Sequence, residues 1–437
     1  MTQREAEGEL ESGGWHRLHP LSLLVRTGRA TIAVLLIVIP SLLAGGHDFF
    51  PLVFVAVAVV TSTVAWLVTR WRVTDGTLRI ETGLFRRQSL RFPLQQIQAI
   101  DTVRPGLARL LGLAELRLRM AGERTSAGRL AYLPEREANE LRARLLALSR
   151  GQEELTPEPA ERTLATVPVG RLAGSIVLSS TGLSVGLGIG VLVTVLIVAP
   201  GLVAASVSGG AVIYIIGFGQ ALWQRFNSGY GLTLAEAPDG LRLRSGLVQT
   251  AAETIPRRRV QAVRLTEPLL WRPLGWVHLS LDIAGSQRRH GENRAESRKL
   301  RQILPVGTRR QAGEVLAQIL PGAPAELSRA PRRALLKTPL RYHWAAWGHD
   351  EVLAVTTSGR VTKATDWVPL SKVQSLRWVQ GPAQRRLALA TIHLDTAGRN
   401  VHSAIRDRDV DEAGEILVGL TEVCRRARAR ERNDGAP

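Results

Sequence analysis

Of 437 residues only Cys424 is a cysteine, so no disulfide can close within the chain, which fits a reducing compartment. Histidine is sparse as well. The nine histidines are scattered, with no His-x-x-x-His pair to hold a metal, and no cofactor motif is present. Acidic residues are short by comparison with basic ones, 38 against 57, leaving +19. Such a field favours polyanions, either nucleic acid or the anionic face of a bilayer. Nucleic acid is set aside, because no recognition-helix pattern and no interleaved aromatics accompany the charge. A cleavable signal peptide is also missing: the first apolar run begins near Ala30, after a polar segment, without a small-residue cleavage site.

Charge itself is nearly missing from two long blocks, and crowds into the rest. That segregation marks a membrane protein with large soluble parts. Residues 29–69 hold two apolar runs around Gly46-His47-Asp48. Residues 172–223 carry no charge between Arg171 and Arg225, and break at Pro200-Gly201 and Ser208-Gly209-Gly210. About 20 apolar residues cross a bilayer as a helix. Two helical hairpins, four spans in all, are therefore expected, the second pair near 174–199 and 202–222. Gly182, Gly186 and Gly190 share one helix face where a second helix can pack. Arg17, Arg26, Arg29, Arg70, Arg72, Arg162, Arg171 and Arg225 flank the spans, while the hairpin tips have no Lys or Arg. By the positive-inside rule both tips face out and both termini are cytoplasmic. Trp66, Trp71 and Trp223 are expected at the inner interface.

The charged remainder repeats itself. Pro93, Pro256 and Pro369 each stand five residues before Gln98, Gln261 and Gln374. Ten before each proline are Gly83, Gly246 and Gly359. Eleven after each glutamine are Arg109, Arg272 and Arg385, and twenty-four after are Gly122, Gly285 and Gly398. Between these anchors apolar residues alternate, as in Leu116, Leu118 and Met120 or Leu279, Leu281 and Ile283, which is the period of a half-buried strand. Asp75-Gly76 and Asp239-Gly240 have the chemistry of hairpin turns. Each copy closes with a helical pattern, at 135–148, 308–320 and 410–428.

The fold class expected is membrane α-helical hairpins plus three β-rich modules, each a small, partly open barrel with a C-terminal helix. The corresponding map is a cytoplasmic segment 1–28, hairpin 29–69, module 70–150, linker 151–171, hairpin 172–223, module 224–320, linker 321–340, diverged module 341–428 and basic tail 429–437. The third module has no hairpin of its own.

Several motifs in the first copy carry a family resemblance: Trp71-Arg-Val-Thr after the hairpin, Gly83-Leu-Phe, Phe92-Pro with Ile97-Gln98, and Arg104-Pro105-Gly-Leu-Ala-Arg109-Leu-Leu-Gly112. The chain resembles the bacterial membrane-flanked, PH-like family of YdbT type, strongly in the first copy, well in the second and weakly in the third. The resemblance implies a seven-stranded, partly open barrel capped by a helix, and brings no enzymatic activity.

The recurring Gly, Pro, Gln and Arg residues are read as structural, the glutamine serving backbone groups at a turn and the proline marking a strand start or edge. Asp282 and Asp395 align with Arg119, so a shared catalytic carboxylate is excluded and surface polarity is expected there. Arg70, Arg72, Arg225 and the run Arg257-Arg258-Arg259 are candidates for anionic lipid, each such residue worth about 1 kcal/mol near the surface. The expectation is a non-enzymatic scaffold of the plasma membrane, binding protein partners such as a shorter single-module relative, and anionic headgroups, in envelope stress or resistance. A transport or export component is the alternative, disfavoured because the spans hold no ionisable residue.

Overall fold

Alternation of apolar and polar side chains turns into strands in the described charged parts of the chain, as at Leu113–Met120 and Trp276–Ile283. A computed structural model describes residues 14–25, 50–74, 77–83, 88–104, 106–120, 128–149, 162–198, 208–237, 240–248, 250–284, 301–320, 322, 326–398 and 400–434. The first apolar run near 29–46, both hairpin tips, Gly122, Gly285, Asp75-Gly76 and the bases Arg86, Arg87, Arg288, Arg289, Arg298 and Lys299 lie outside those residues. Two compact units form: 1–160 with 246–254, and 161–245 with 255–437.

The first unit holds β1 (His16–Arg17), β2 (Arg70–Thr74), β3 (Thr77–Thr82) and β4 (Gln88–Pro93) as one antiparallel sheet, and β5 (Ile97–Arg104), β6 (Leu113–Met120) and β7 (Gly128–Pro134) as a second. The break between sheets falls at Pro93. Its φ of −60° closes β4 and leads into a single 3-10 turn, Leu94–Gln96. Pro256 (φ −63°) and Pro369 (φ −61°) do the same, so these prolines mark strand ends rather than starts. Phe92, Leu78, Ile100, Leu116, Leu118 and Leu130 fill the space between the sheets. Helix Glu135–Ser149 closes it with Ala138, Leu141 and Leu145, one side of a 3.6-residue period.

The second unit repeats the plan with β8 (Arg162–Thr166), β9 (Thr233–Ala237), β10 (Gly240–Ser245), β11 (Thr250–Ile255), β12 (Val260–Glu267), β13 (Trp276–Ile283) and β14 (Arg301–Thr308), although Thr250–Thr254 belong to the first unit. The third copy contributes β15 (Ser328–Arg329), β16 (Ala346–His349), β17 (Leu353–Gly359), β18 (Lys363–Pro369), β19 (Val373–Val379), β20 (Leu389–Thr396) and β21 (Ser403–Asp409). Helix Arg309–Ile319 starts on a capping box of Thr308 and Gln311. The last helix, Val410–Asp434, runs on into the basic tail expected at 429–437.

The apolar segments do not precede the modules, as expected, but interrupt them. β1 pairs with β2 across residues 18–69 (His16↔Trp71), and β8 pairs with β9 across 167–232 (Thr166↔Thr233). In the third copy β15 pairs with β16 across 330–345, and short helices Ala334–Lys337 and Pro339–Tyr342 stand where the long insertions stood. So the stretches expected as linkers, 151–171 and 321–340, each supply a first strand. The pairing holds both ends of each insertion together. Trp71, expected at a membrane interface, is instead 4% exposed in the core and stacks on His16 at 4.7 Å.

Apolar helices run over Phe50–Val68, Val169–Val177, Ser180–Val198 and Ser208–Gly229. Among the described residues no single helix is long and apolar enough to cross a membrane. The pair Val169–Val177 and Ser180–Val195, bent by 59°, suffices by length and composition. The expected continuous helix 174–199 is thus broken. Ser179 causes the break: its hydroxyl donates to the carbonyl of Ile176 at 2.6 Å and accepts the Gly182 N–H at 3.1 Å, starting a new helix. At Gly182 a Cβ would lie 2.3 Å from the Ile176 carbonyl oxygen, so this glycine permits the bend. A Cβ built on Gly186 or Gly190 would meet no atom of the described residues within 4 Å.

Gly240 opens β10 at φ 137°, where a Cβ would sit 2.3 Å from the Ile255 carbonyl oxygen. A Gly240→Ala chain is expected to lose about 1–3 kcal/mol of stability, read as an earlier transition in denaturant; an unshifted midpoint refutes this account of the turn.

Candidate functional site

The arginines singled out for lipid are mostly committed to the protein. Arg70 donates twice to Glu81, at 2.9 and 2.8 Å, and Arg70 and Arg72 both lie over the Trp15 ring, at 4.4 and 4.6 Å. The hydrogen bond from Arg70 holds the Glu81 carboxyl below its usual range. Arg225 donates to the Ser179 hydroxyl at 3.2 Å, Arg257 is ion-paired with Glu236, and Arg259 donates to the carbonyl of Ala284 at 2.7 Å. Arg258 is exposed on the same 3-10 turn. Of the three consecutive guanidiniums, Arg257 and Arg259 thus have separate partners.

What the structure does bring together are the repeat residues, at strand edges. Because each module splits at its proline, its fourth and fifth strands splay apart and each exposes a row of backbone N–H and C=O groups. Such rows need partners. Inside the first unit the outer edge of β5 receives β11 of the next copy, with Thr102, Val103 and Arg104 opposite Ala252, Ala251 and Thr250. Inside the second unit the outer edge of β12 receives β18 in the same manner, with Leu265, Thr266 and Glu267 opposite Thr365, Ala364 and Lys363. Counted from the glutamine and the proline of the signature, the two registers are identical.

The repeat arginine completes the junction. Arg109 donates to the carbonyl of Leu247, and Arg272 donates to that of Val361 at 3.0 Å. Both acceptors lie in the turn that follows the repeat glycine, Gly246 or Gly359, of the next copy. Arg264 adds a bidentate pair with Asp366 at 2.6 and 2.8 Å. Asp101, the equivalent of Arg264, accepts from the Thr254 N–H at 3.3 Å.

Asp282 overturns the surface-polarity reading. It is 0% exposed and accepts from the backbone N–H groups of Asn400 and Val401, at 2.9 and 2.8 Å, and from the Asn400 amide at 3.3 Å. A Cβ on Gly398 would collide with its carboxylate, at 2.4 Å, which is why a glycine stands at that point of the third copy. Asp395, its equivalent, stays local and is paired with Arg377 at 3.2 Å. Of the glutamines, Gln261 is buried and its amide donates to the Arg259 carbonyl at 3.4 Å, whereas Gln374 is exposed.

Three successive modules, each two sheets and a helix, are now on view, and the profile of the bacterial PH domain matches the chain three times, over residues 29–149, 175–306 and 300–422. The chain belongs to the bacterial PH domain family. Its first strands, β1 and β8, lie ahead of the first two matched stretches, because the apolar insertions separate them from the remainder of each PH domain. No curated protein and no solved structure matches the chain.

Among the described residues the PH modules bury several charged side chains, Asp101, Glu115, Glu267, Asp282, Asp366 and Arg408 among them. Among the described residues no three His, Cys, Asp or Glu side chains gather as metal ligands. Burial pushes the Cys424 thiol up, against the pull of Arg428. Burial drives the His278 imidazole below its ordinary value. Arg225 works in the same direction, and the hydrogen bond to the Pro305 carbonyl, 3.1 Å long, works against it.

Two measurements follow. Asp282→Ala strands two backbone N–H groups, that of Val401 buried and that of Asn400 half-buried, and is expected to cost about 2–4 kcal/mol in denaturant titration; a loss no larger than that of Asp395→Ala refutes the capping role. Burial lowers the proton affinity of His278 in the fold, so the unfolded ring takes up a proton more readily than the folded one. Stability therefore falls as pH drops through about 6.5. A His278→Asn chain is expected to show a flatter melting-temperature profile across that window, and a profile parallel to the parent's refutes the assignment.

Proposed function

We propose that the chain is a non-enzymatic scaffold anchored in the plasma membrane, which holds its three PH modules at the inner leaflet and binds protein partners through strand edges. The observation that carries this reading is the junction itself. Twice within the chain, the fifth strand of a PH module accepts a foreign strand antiparallel, in one register and with one arginine clamp. Strand addition of this kind gives affinity through main-chain hydrogen bonds and specificity through side chains at the edge. In the third module the same edge, on β19, is exposed at Gln374, Ser375 and Arg377. A shorter single-module relative has the right kind of strand to offer.

Support for the anchor comes from the apolar helices. Leu187 is 72% exposed and Ile197 75%, a surface that water does not favour and a bilayer does. In the third module the insertion at the matching place exposes Leu335, Leu336 and Leu340 beside Arg332 and Arg341. An apolar edge with a basic rim suits an anionic interface. A role in envelope stress or resistance accords with a scaffold at that surface.

A photoreactive residue placed at Ser375 in living cells is expected to capture a defined protein; capture of lipid alone refutes the partner reading. Leu336→Asp with Leu340→Asp is expected to leave the fold intact and to weaken recovery of the third module on vesicles containing phosphatidylserine. Binding unchanged by the pair, or unchanged by the phosphatidylserine content, refutes the lipid contact.

A further inference from the structure

The two internal junctions define what a complete array needs, and the ends of this array are complementary halves of a third junction. At one end β4 is the outermost strand of its sheet, exposed from Gln88 to Arg91, whereas its counterpart β18 is buried at Thr365, Asp366 and Val368 by the strand alongside. At the other end β19 is the outermost strand of its sheet, and its counterpart β12 is buried along most of its length. Among the described residues no strand pairs with the outer edge of β4 or of β19. The clamp shows the same vacancy. Arg385 stands where Arg109 and Arg272 stand, yet its guanidinium bonds nothing among the described residues. Asp395, freed from the role of Asp282, folds back on Arg377.

We propose that these two edges belong together in separate molecules: β19 of one chain pairs antiparallel with β4 of a second copy of this chain. Transferring the shared register places Trp378 opposite Ser89 and Val379 opposite Gln88. The side chains fit that pairing. Leu376 then faces Arg91, whose guanidinium reaches the neighbouring Trp378 ring across the diagonal of the ladder. The interface is head-to-tail, so it closes into a ring if the rotation per copy divides a full turn, and otherwise extends as a filament. The second copy is the partner that the scaffold reading calls for, and the inference rests on that reading.

The test uses the full chain in mild detergent, in a Cys424→Ala background. A chain carrying Gln88→Cys is mixed with one carrying Val379→Cys and oxidised gently. Opposed positions of an antiparallel ladder lie within disulfide reach, so a disulfide-linked pair of chains is expected. The out-of-register mixture of Arg91→Cys with Val379→Cys is expected to give a small fraction of that yield. The unsubstituted chain is expected to show, by light scattering, a mass of more than one copy that falls on dilution. A single-copy mass with no disulfide overturns the inference, and so does equal cross-linking of both mixtures, the mark of unspecific aggregation. If the purified chain fails in this way while Ser375 still captures a different protein in cells, the scaffold reading stands and only the identity of its partner is lost.

Discussion

Unpaired backbone at a sheet edge is the constraint on which this architecture turns. A PH module made of two short sheets that part at a proline leaves two edges open, on its fourth and fifth strands. Each open N–H or C=O that is buried without a partner costs on the order of a lost hydrogen bond. A repeated module meets the cost by lending its fourth strand to the fifth strand of its predecessor. Most of the repeat signature serves this exchange. The proline parts the sheets, the glycine turns the hairpin, and the arginine clamps that turn in the copy that follows.

The same logic explains which side chains are buried. Arg264 and Asp366 sit in a junction as a bidentate pair, and Asp282 caps a loop of the next module from a position sealed off from water. A lone carboxylate in such a place would be costly; three donors make it tolerable. In the third copy the equivalent Asp395 is half-buried and paired with its own neighbour Arg377. Polarity at one alignment position therefore has two physical meanings, capping a loop of another module at Asp282 and pairing with a strand neighbour at Asp395.

The insertions between first and second strands give the modules a second common feature. The strand pair β1–β2, or β8–β9, clasps the two ends of a long apolar segment and fixes where it leaves the module. In the third module the matching segment is short and tied down by Lys337 on Asp407 and Arg333 on Asp409. One topological slot thus carries either a long apolar excursion or a compact cap.

By itself the sequence determined the number of copies, their strands-then-helix order, and the positions of the anchors, because offsets among Gly, Pro, Gln and Arg are local and survive divergence. The pairing of β2 with β3 and helices such as Glu135–Ser149 are equally local, the helix set by a 3.6-residue period. It did not reveal that β1 and β8 belong to modules whose other strands lie dozens of residues further on, since two- and five-residue strands have too little pattern to read. Nor did it reveal that Asp282 is buried or that Trp71 is in a core rather than at an interface. Those outcomes depend on which strand lies beside which, and edge pairing between copies is a long-range choice made by backbone hydrogen bonds, which leave almost no trace in side-chain identity. The lone Cys424 ruled out an internal disulfide at the outset; only the tertiary structure showed that the repeat residues meet one another across module boundaries.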